Sequence, residues 1–145
     1  MIHASTYASW FGAYSSTVTG PRVTLSTNAV GNQETYALEA VLHESVHAGR
    51  LLETVDSALA ATGTRRGAAL EPELSHAILF YTTGELLAGL IPTHVPYAER
   101  FGFWTRNRET TRLKEMVADA WRPYVAGSAR LADAVDAMVR RASSR

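Results

Sequence analysis

Apolar residues recur at helical spacing over most of this chain, whereas only one short stretch alternates as a β-strand does. The stretch is Arg22–Thr27, in which polar and apolar residues alternate and several are β-branched. The spacing predicts four longer helices, over about Gln33–Ala48 or somewhat beyond, from near Pro72 to before Pro92, over Thr110–Val125 and over Ser128–Ala142. The predicted fold is therefore α+β and mainly helical, with a short N-terminal strand region before the first long helix.

Turn and cap residues suggest the bounds of these elements. Asn32 is the predicted N-cap of the first helix, and Glu34 falls in its first turn. Gly49 is a candidate end, although "RLLETVDSALAA" also suits a second helical piece. Thr62–Gly67, "TGTRRG", is predicted to be a loop.

The second long helix has Pro72 at its predicted first position and apolar residues on nearly every side, so it is expected to be buried. A long connection rich in proline and aromatic residues, Pro92–Glu109, follows it. Long ordered loops often carry functional residues. The chain ends with Arg140, Arg141 and Arg145, which are predicted to form a solvated tail.

The size and charge of the chain predict one domain over residues 1–145. Its 145 residues, 46% of them hydrophobic, are enough for one core. Fourteen basic residues balance fourteen acidic ones, so no overall field favours nucleic acid or an anionic membrane as partner. The sequence contains no cysteine, so any metal must be held by His, Asp or Glu.

The N-terminus lacks the basic start and the uninterrupted apolar run of a signal peptide. As written, the chain is expected to be cytoplasmic, or secreted if it is a trimmed mature form. No apolar run reaches the length of a membrane span, so the sequence predicts a soluble protein.

The stretch "VLHESVHAG" contains His43, Glu44 and His47 as H-E-x-x-H on the first long helix. Residues four apart on a helix are separated by about 40°, so the two imidazoles project toward a common point. Two such nitrogens suit one zinc ion at about 2 Å. Glu44 lies about 60° from His47, where its carboxylate can take a proton from a zinc-bound water and pass it to a leaving amine.

This motif, on a helix that follows a strand, resembles the zincin-like metallopeptidases. In those folds an edge strand before the active-site helix aligns extended substrate beside the metal, and the resemblance assigns that role to Arg22–Thr27. The stretch "SHAILFYTTGELL…VPYAERFGFW" also resembles uncharacterised small bacterial zincin-like proteins, in which a His on the second helix follows the motif. That resemblance spans about residues 22 to 105.

A catalytic zinc usually has three protein ligands and one open position, so a third ligand must lie elsewhere. Glu53 stands where the metzincin pattern has its third His, but without that pattern's glycine bend it lies about 240° from His47 and is rejected. His76 is preferred, because a polar ring in an otherwise apolar helix needs a partner. The thermolysin-like pattern, which takes a Glu from a later helix, leaves as alternatives Glu71, Glu73 and Glu85.

Two carboxylates are candidates for orienting the histidine ligands by accepting a hydrogen bond from the ring nitrogen that does not bind the metal. Glu73 is about 60° from His76 on the same helix and is predicted to accept a ring N–H, if it is not itself the ligand. Glu39 lies one turn before His43 and is a candidate to orient that ring, with a solvated helix charge as the alternative.

Tyr97, in "VPYAER", is the candidate donor to the oxyanion that forms when water attacks a carbonyl, with simple packing as the alternative. His94 in the same loop is a second candidate for this role. His3 is too near the terminus to be assigned. The remaining large aromatic residues are predicted to pack: Trp10, Phe101, Phe103, Trp104 and Trp121.

The predicted function is that of a zinc-dependent metallopeptidase, a hydrolase with one Zn²⁺, a catalytic Glu44 and a peptide or protein substrate. The alternative is a non-catalytic zincin-like binding domain, with or without structural zinc, because 145 residues leave little material for a second lobe. A chance occurrence of H-E-x-x-H is the third reading. The sequence leaves open the substrate preference and the oligomeric state.

Overall fold

The computed structural model of this chain describes residues 1–6, 12–18, 20–49 and 51–143. Its elements confirm the α+β, mainly helical fold class: a small sheet near the N-terminus is followed by six helices in the described residues. None of these helices is both long enough and apolar enough to cross a membrane.

Three short strands form the sheet: β1 (Ile2–Ser5), β2 (Ala13–Ser16) and β3 (Arg22–Ser26). β3 lies in the middle, parallel to β1 and antiparallel to β2. The predicted strand is therefore present, but the prediction of a single strand was wrong. β1 and β2 are only four residues long, too short for their pattern to predict a strand, and they are strands because they pair with β3.

The position of β3 also corrects the expectation that it is an edge strand. Four of its residues are buried, and both of its edges are paired. The buried residues are Val23, Thr24, Leu25 and Ser26. The edge strand that packs against the first long helix is β2.

The first long helix, α1 (Thr35–Ala48), packs on β2 and β3. Asn32 is not its N-cap, because its side-chain amide instead donates to the carbonyl oxygens of Gly12 and Ser26 at 2.7 and 2.9 Å. The N-cap is Glu34, which was predicted in the first turn and has a left-handed φ of 52°. The amide of Asn32 thus satisfies two backbone oxygens of the sheet region and ties the start of α1 to it.

The second helix, α2 (Leu51–Arg66), shows that the predicted loop at Thr62–Gly67 was wrong. Gly63 is buried inside α2, where a Cβ atom would lie 3.2 Å from the carbonyl oxygen of Ala68. The helix ends at Arg66 and is followed by Gly67, which has a φ of 62°. The glycine at position 63 therefore allows close packing, and the one at position 67 ends the helix in the usual left-handed conformation.

Three further long helices complete the fold: α3 (Leu74–Leu90), α5 (Arg108–Val125) and α6 (Leu131–Ser143). They agree with the predicted helices to within three residues at each end. α3 is buried along much of its length, but Leu86 and Leu90 are exposed, so the expectation of burial on nearly every side holds only in part.

Helices α2, α3, α5 and α6 pack together around one cluster of buried apolar residues, which we term the helical core. Its members include Leu59, Ala77, Ile78, Leu113, Val117, Trp121, Val135, Met138 and Val139. Arg140 and Arg141 belong to the last turn of α6 and not to a tail, and Arg140 pairs with Asp136 at 2.6 Å. Arg145 lies outside the described residues.

The connection between α3 and α5 contains a four-residue helix, α4 (Tyr97–Arg100). Phe103 and Trp104 in this connection are buried, as is Trp121 on α5, in agreement with the prediction that they pack. Phe101 contacts the ring of Tyr97 at a centroid distance of 4.4 Å but is 40% exposed. The prediction for Trp10 lies outside the described residues.

Candidate metal centre

Three histidine rings from two helices converge on one point. His43 and His47 lie one turn apart on α1, and His76 lies in the first turn of α3. The Nε2 atom of His43 is 3.1 Å from that of His76 and 3.2 Å from that of His47. All three side chains have a ligand nitrogen within 4.8 Å of the other two, and no other such group of His, Asp or Glu occurs among the described residues.

This spacing fits a tetrahedral metal ion. Nitrogens about 2.0–2.1 Å from one zinc ion at tetrahedral angles lie roughly 3.3 Å apart. Three imidazoles are also a donor set that zinc uses in catalytic sites, with the fourth position left for water or substrate. The residues present therefore fit a zinc ion held by three protein ligands.

Burial keeps two of these rings in the neutral form that binds a cation. Burial, and then the neighbouring His76 and His47, together lower the pKa of His43 to about 3. The pKa of His76 is also lowered, mainly by burial and then by His47, while Glu73 opposes the shift. A neutral imidazole offers its nitrogen lone pair to a metal without first losing a proton.

His43 is held without a hydrogen-bond partner on its other nitrogen. Its side chain is buried, and its Nδ1 atom contacts no donor or acceptor among the described residues. The ring instead lies against Phe80, with a centroid distance of 4.5 Å. A buried ring nitrogen without a partner costs about 1–3 kcal/mol, so this arrangement is one that folding alone does not favour.

The packing of α1 against α3 brings His76, and not a carboxylate, to the other two histidines. The Oε2 atom of Glu73 lies 3.7 Å from Nδ1 of His76, on the far side of that ring. Glu73 is thus placed where it can orient His76, as its position on the helix predicted. The candidates Glu71, Glu73 and Glu85 are not members of the histidine group, and Glu85 is exposed.

Glu44 lies beside the histidines and faces the sheet. Burial raises the pKa of its carboxyl group, while a hydrogen bond with the side chain of Ser15 on β2 and the proximity of His47 lower it. A carboxylate whose pKa is moved toward neutrality is a better acceptor of a proton from water near pH 7.

Both predictions for Glu39 were wrong. Its carboxylate does not contact His43, and it is not a solvated charge. Its side chain is 2% exposed, and its Oε2 atom accepts hydrogen bonds from the Nε2 atom of His94 at 2.6 Å and from the backbone N–H of Tyr97 at 2.8 Å. Thr35 contacts Nδ1 of His94 at 2.8 Å. Glu39 therefore ties the connection that carries Tyr97 to α1.

The same network corrects the suggestion that His94 stabilises an oxyanion. The side chain of His94 is fully buried, and both of its nitrogens are engaged, one with Thr35 and the other with Glu39. It is also absent from the walls of the cavity beside the histidines. His94 is consequently a structural residue.

Tyr97 remains available for a chemical role. Its ring lies nearly parallel to that of Phe80, at an interplanar angle of 20° and a centroid distance of 6.2 Å. Its hydroxyl group lies so close to Gly31 that a Cβ atom there would be 2.6 Å away. Burial, and then the charge of Glu39, raise the pKa of the phenol, which keeps it protonated and able to donate a hydrogen bond.

A cavity of about 550 Å³ opens beside the three histidines. Its size falls within the range of small-molecule and peptide sites. The side chains that sequence reasoning had placed in the site, His43, Glu44, His47, His76 and Tyr97, all line it. The other lining residues are Ala13, Tyr14, Ser15, Asn32, Glu39, Ala40, Phe80, Phe101, Phe103 and Arg106.

Sequence reasoning missed three features of this site: the contact of Ser15 with Glu44, the network around Glu39, and Arg106 at the cavity wall. One signal was present in the sequence. Thr35, Glu39 and His43 are spaced four apart and mark a polar stripe on α1, which indicates a buried polar face. Ser15 and Arg106 carry no comparable signal, because only the fold brings them near the histidines.

Comparison with known proteins does not assign this chain to a family. No family model matches the chain. No curated protein and no solved structure matches it either. The interpretation of the site therefore depends on the arrangement of its own residues.

Proposed function

We propose that this protein is a zinc-dependent metallopeptidase of zincin-like type, in which His43, His47 and His76 hold the metal. The observation that carries the proposal is the convergence of three imidazole nitrogens, 3.1 and 3.2 Å apart, at the wall of a cavity that also contains Glu44. A metal centre that serves only the fold is usually closed by four protein ligands, whereas three ligands beside a cavity leave a position for substrate.

When bound, zinc lowers the pKa of a water molecule to near neutrality and polarises a carbonyl group. Glu44 is the general base: its carboxylate accepts a proton from the attacking water, whose oxygen forms a bond to the carbonyl carbon. As the C–N bond breaks, Glu44 returns that proton to the leaving amine nitrogen. The hydrogen bond from Ser15 and the raised pKa of Glu44 suit a group that must both take up and release a proton.

Tyr97 is assigned the role of donor to the carbonyl oxygen as negative charge develops on it. Its phenol lines the same cavity as the histidines, and its raised pKa keeps the proton in place. Glu39 and His94 support this role by fixing the backbone of Tyr97 to α1.

The edge strand β2 borders the cavity through Ala13, Tyr14 and Ser15. A strand in this position is suited to align an extended peptide beside the metal, because extended segments recognise one another through backbone hydrogen bonds. This supports a peptide bond as the bond that is hydrolysed, and β2 takes the role that the sequence had suggested for Arg22–Thr27.

The test is the variant Glu44→Gln, measured for zinc content and for turnover of a mixed peptide library. We expect one zinc per chain in both wild type and variant, and a loss of turnover of roughly 10²–10⁴-fold in the variant, because the amide cannot accept the proton. Glu115→Gln, an exposed position on α5, is the matched control and should retain full activity.

Three outcomes would contradict the proposal. A Glu44→Gln variant with wild-type turnover would remove the general base from this mechanism. Stoichiometric zinc without hydrolysis of any library peptide by the wild type would instead favour the non-catalytic binding domain. A wild-type protein that takes up no zinc when zinc is in excess would remove the metal centre altogether.

A further inference from the structure

Among the described residues, one permanent cation lies on the cavity wall, and it has no acidic partner there. Arg106 precedes α5, and its guanidinium carbon lies 5.4 Å from the centre of the Phe103 ring. No Asp or Glu of the described residues is recorded in an ion pair with it. Arg106 is exposed and shares this with other surface arginines such as Arg112, but it differs from them in lining the cavity. Stacking on a ring holds a guanidinium in place while leaving its N–H groups free to donate.

The other charged groups of the cavity do not neutralise Arg106. Glu39 is buried and occupied with His94 and the backbone of Tyr97. Glu44 is engaged with the side chain of Ser15. Arg106 is the sole Arg or Lys among the residues described as lining the cavity, so it is the group there that best receives an anion.

The wall between Arg106 and the histidines is aromatic. Tyr14, Phe80, Tyr97, Phe101 and Phe103 line the cavity, and their rings offer contact area to an apolar or aromatic side chain. A ligand that satisfies both features has an apolar side chain and a negative charge close to each other.

The rings also limit how far Arg106 lies from the candidate metal ligands. His76 contacts Phe80 at a centroid distance of 4.8 Å, Phe80 contacts Phe103 at 4.6 Å, and Phe103 lies under Arg106. Three such steps are an upper limit on the separation. An extended peptide covers that limit in about four residues, at roughly 3.5 Å per residue.

We infer that the cavity takes the carboxyl-terminal end of a peptide with an apolar or aromatic last residue, and that Arg106 pairs with its terminal carboxylate. This inference rests on the proposed function and names its substrate class: short peptides or chain ends, cut within about the last four residues. Arg106 is a specificity residue in this arrangement, because a guanidinium and a carboxylate form two parallel charge-assisted hydrogen bonds.

The inference is tested by binding to metal-free protein, so that neither zinc nor turnover affects the result. The probes are N-acetyl-alanyl-phenylalanine, its C-terminal amide, and the amide of N-acetyl-glutamyl-phenylalanine, titrated by NMR at pH 8. We expect the free acid to bind wild type about tenfold more tightly than its amide. In Arg106→Gln the two should bind equally, whereas Arg112→Gln, an exposed arginine on α5 outside the cavity, should keep the wild-type ratio.

Several results would overturn the inference. Equal binding of acid and amide to wild type, no saturable binding at millimolar acid, or an unchanged ratio in Arg106→Gln would each remove the carboxylate site. If the amide of N-acetyl-glutamyl-phenylalanine bound as tightly as N-acetyl-alanyl-phenylalanine, the site would recognise an acidic side chain and not a terminal carboxylate. A failure of the proposed peptidase activity would appear separately, in zinc content and turnover.

Discussion

The two sides of α3 differ in how well their polar groups are satisfied. On the side of the helical core, the indole N–H of Trp121 donates to Thr82 at 2.9 Å, and Arg122 donates to the hydroxyl of Tyr81 at 2.9 Å. On the side of the metal centre, two buried side-chain atoms have no partner among the described residues, Nδ1 of His43 and Oε1 of Glu39.

This difference separates a region that stabilises the fold from one that is suited to function. The helical core buries apolar side chains and completes its few hydrogen bonds, as stable cores do. The metal centre crowds three imidazoles and buries a carboxyl group, Glu39, whose pKa burial raises. Proteins depart from local stability in this way mainly at functional sites.

The largest expected effect comes from adding zinc, which should stabilise the metal centre, the region whose buried polar atoms lack partners. At free zinc about 1,000 times above Kd, the free energy of unfolding should rise by about 4 kcal/mol, because the ion binds the folded chain. Chemical unfolding followed by circular dichroism, with and without zinc, measures the increment. His76→Ala should abolish the increment, while Glu73→Ala, which removes only a group behind His76, should keep most of it.

A smaller effect is expected from truncating the helical core. Leu59→Ala should lower the free energy of unfolding by about 3 kcal/mol, because it leaves a cavity at a side chain that is 2% exposed. Leu51→Ala, on the same helix at 68% exposure, is the matched control and should change stability by less than about 0.5 kcal/mol. Both variants should bind zinc as the wild type does, and loss of zinc in Leu59→Ala would mean that the two regions are not separable.

The third effect is a pH dependence of the metal-free protein. Because burial lowers the pKa of His43 to about 3 from an ordinary 6.5, the unfolded chain binds a proton between these values that the folded chain does not. Stability should therefore fall as the pH drops below about 6.5, by about 2 kcal/mol from pH 7 to pH 5 through this residue.

Comparison of wild type with His43→Leu isolates that contribution, since other groups titrate in both proteins. The free energy of unfolding, measured with urea, should fall from pH 7 to pH 5 by about 2 kcal/mol more in the wild type than in the variant. Leu38→Ala, at a 51% exposed position on the same helix as His43, is the control and should leave the dependence unchanged. If the free energy of unfolding changed equally with pH in wild type and His43→Leu, the buried ring would not be the titrating group.

Four of the six described α-helices, and the positions of His43, Glu44 and His47 on the first of them, follow from the sequence alone. Apolar spacing and flanking proline or glycine residues are local signals, and they locate α1, α3, α5 and α6 to within three residues at each end. The four-residue interval between two histidines also determines, on any regular helix, that both rings lie on one face.

Elsewhere the local signals were outweighed by tertiary contacts. "TGTRRG" has the composition of a loop, yet most of it is helical, because Gly63 is buried against Ala68 and Leu70. Asn32 has the chemistry of an N-cap, yet its amide bonds to Gly12 and Ser26 across the sheet region. For Asn32 a partner 20 residues away outweighs the local preference, whereas for Gly63 the contacts come from the chain just beyond the end of α2.

The arrangement of the candidate site was decided by tertiary structure in the same way. The sequence favoured His76 as third ligand but left Glu71, Glu73 and Glu85 as alternatives, and the packing of α1 against α3 brings His76 to the other two rings. Ser15 comes from strand β2 and Arg106 from the connection before α5, and only the fold brings both to the cavity. The carboxylate of Glu39 contacts His94 and not His43. Periodicity depends on neighbours along the chain, whereas a site depends on distances between segments, and those are set only when the hydrophobic faces have packed.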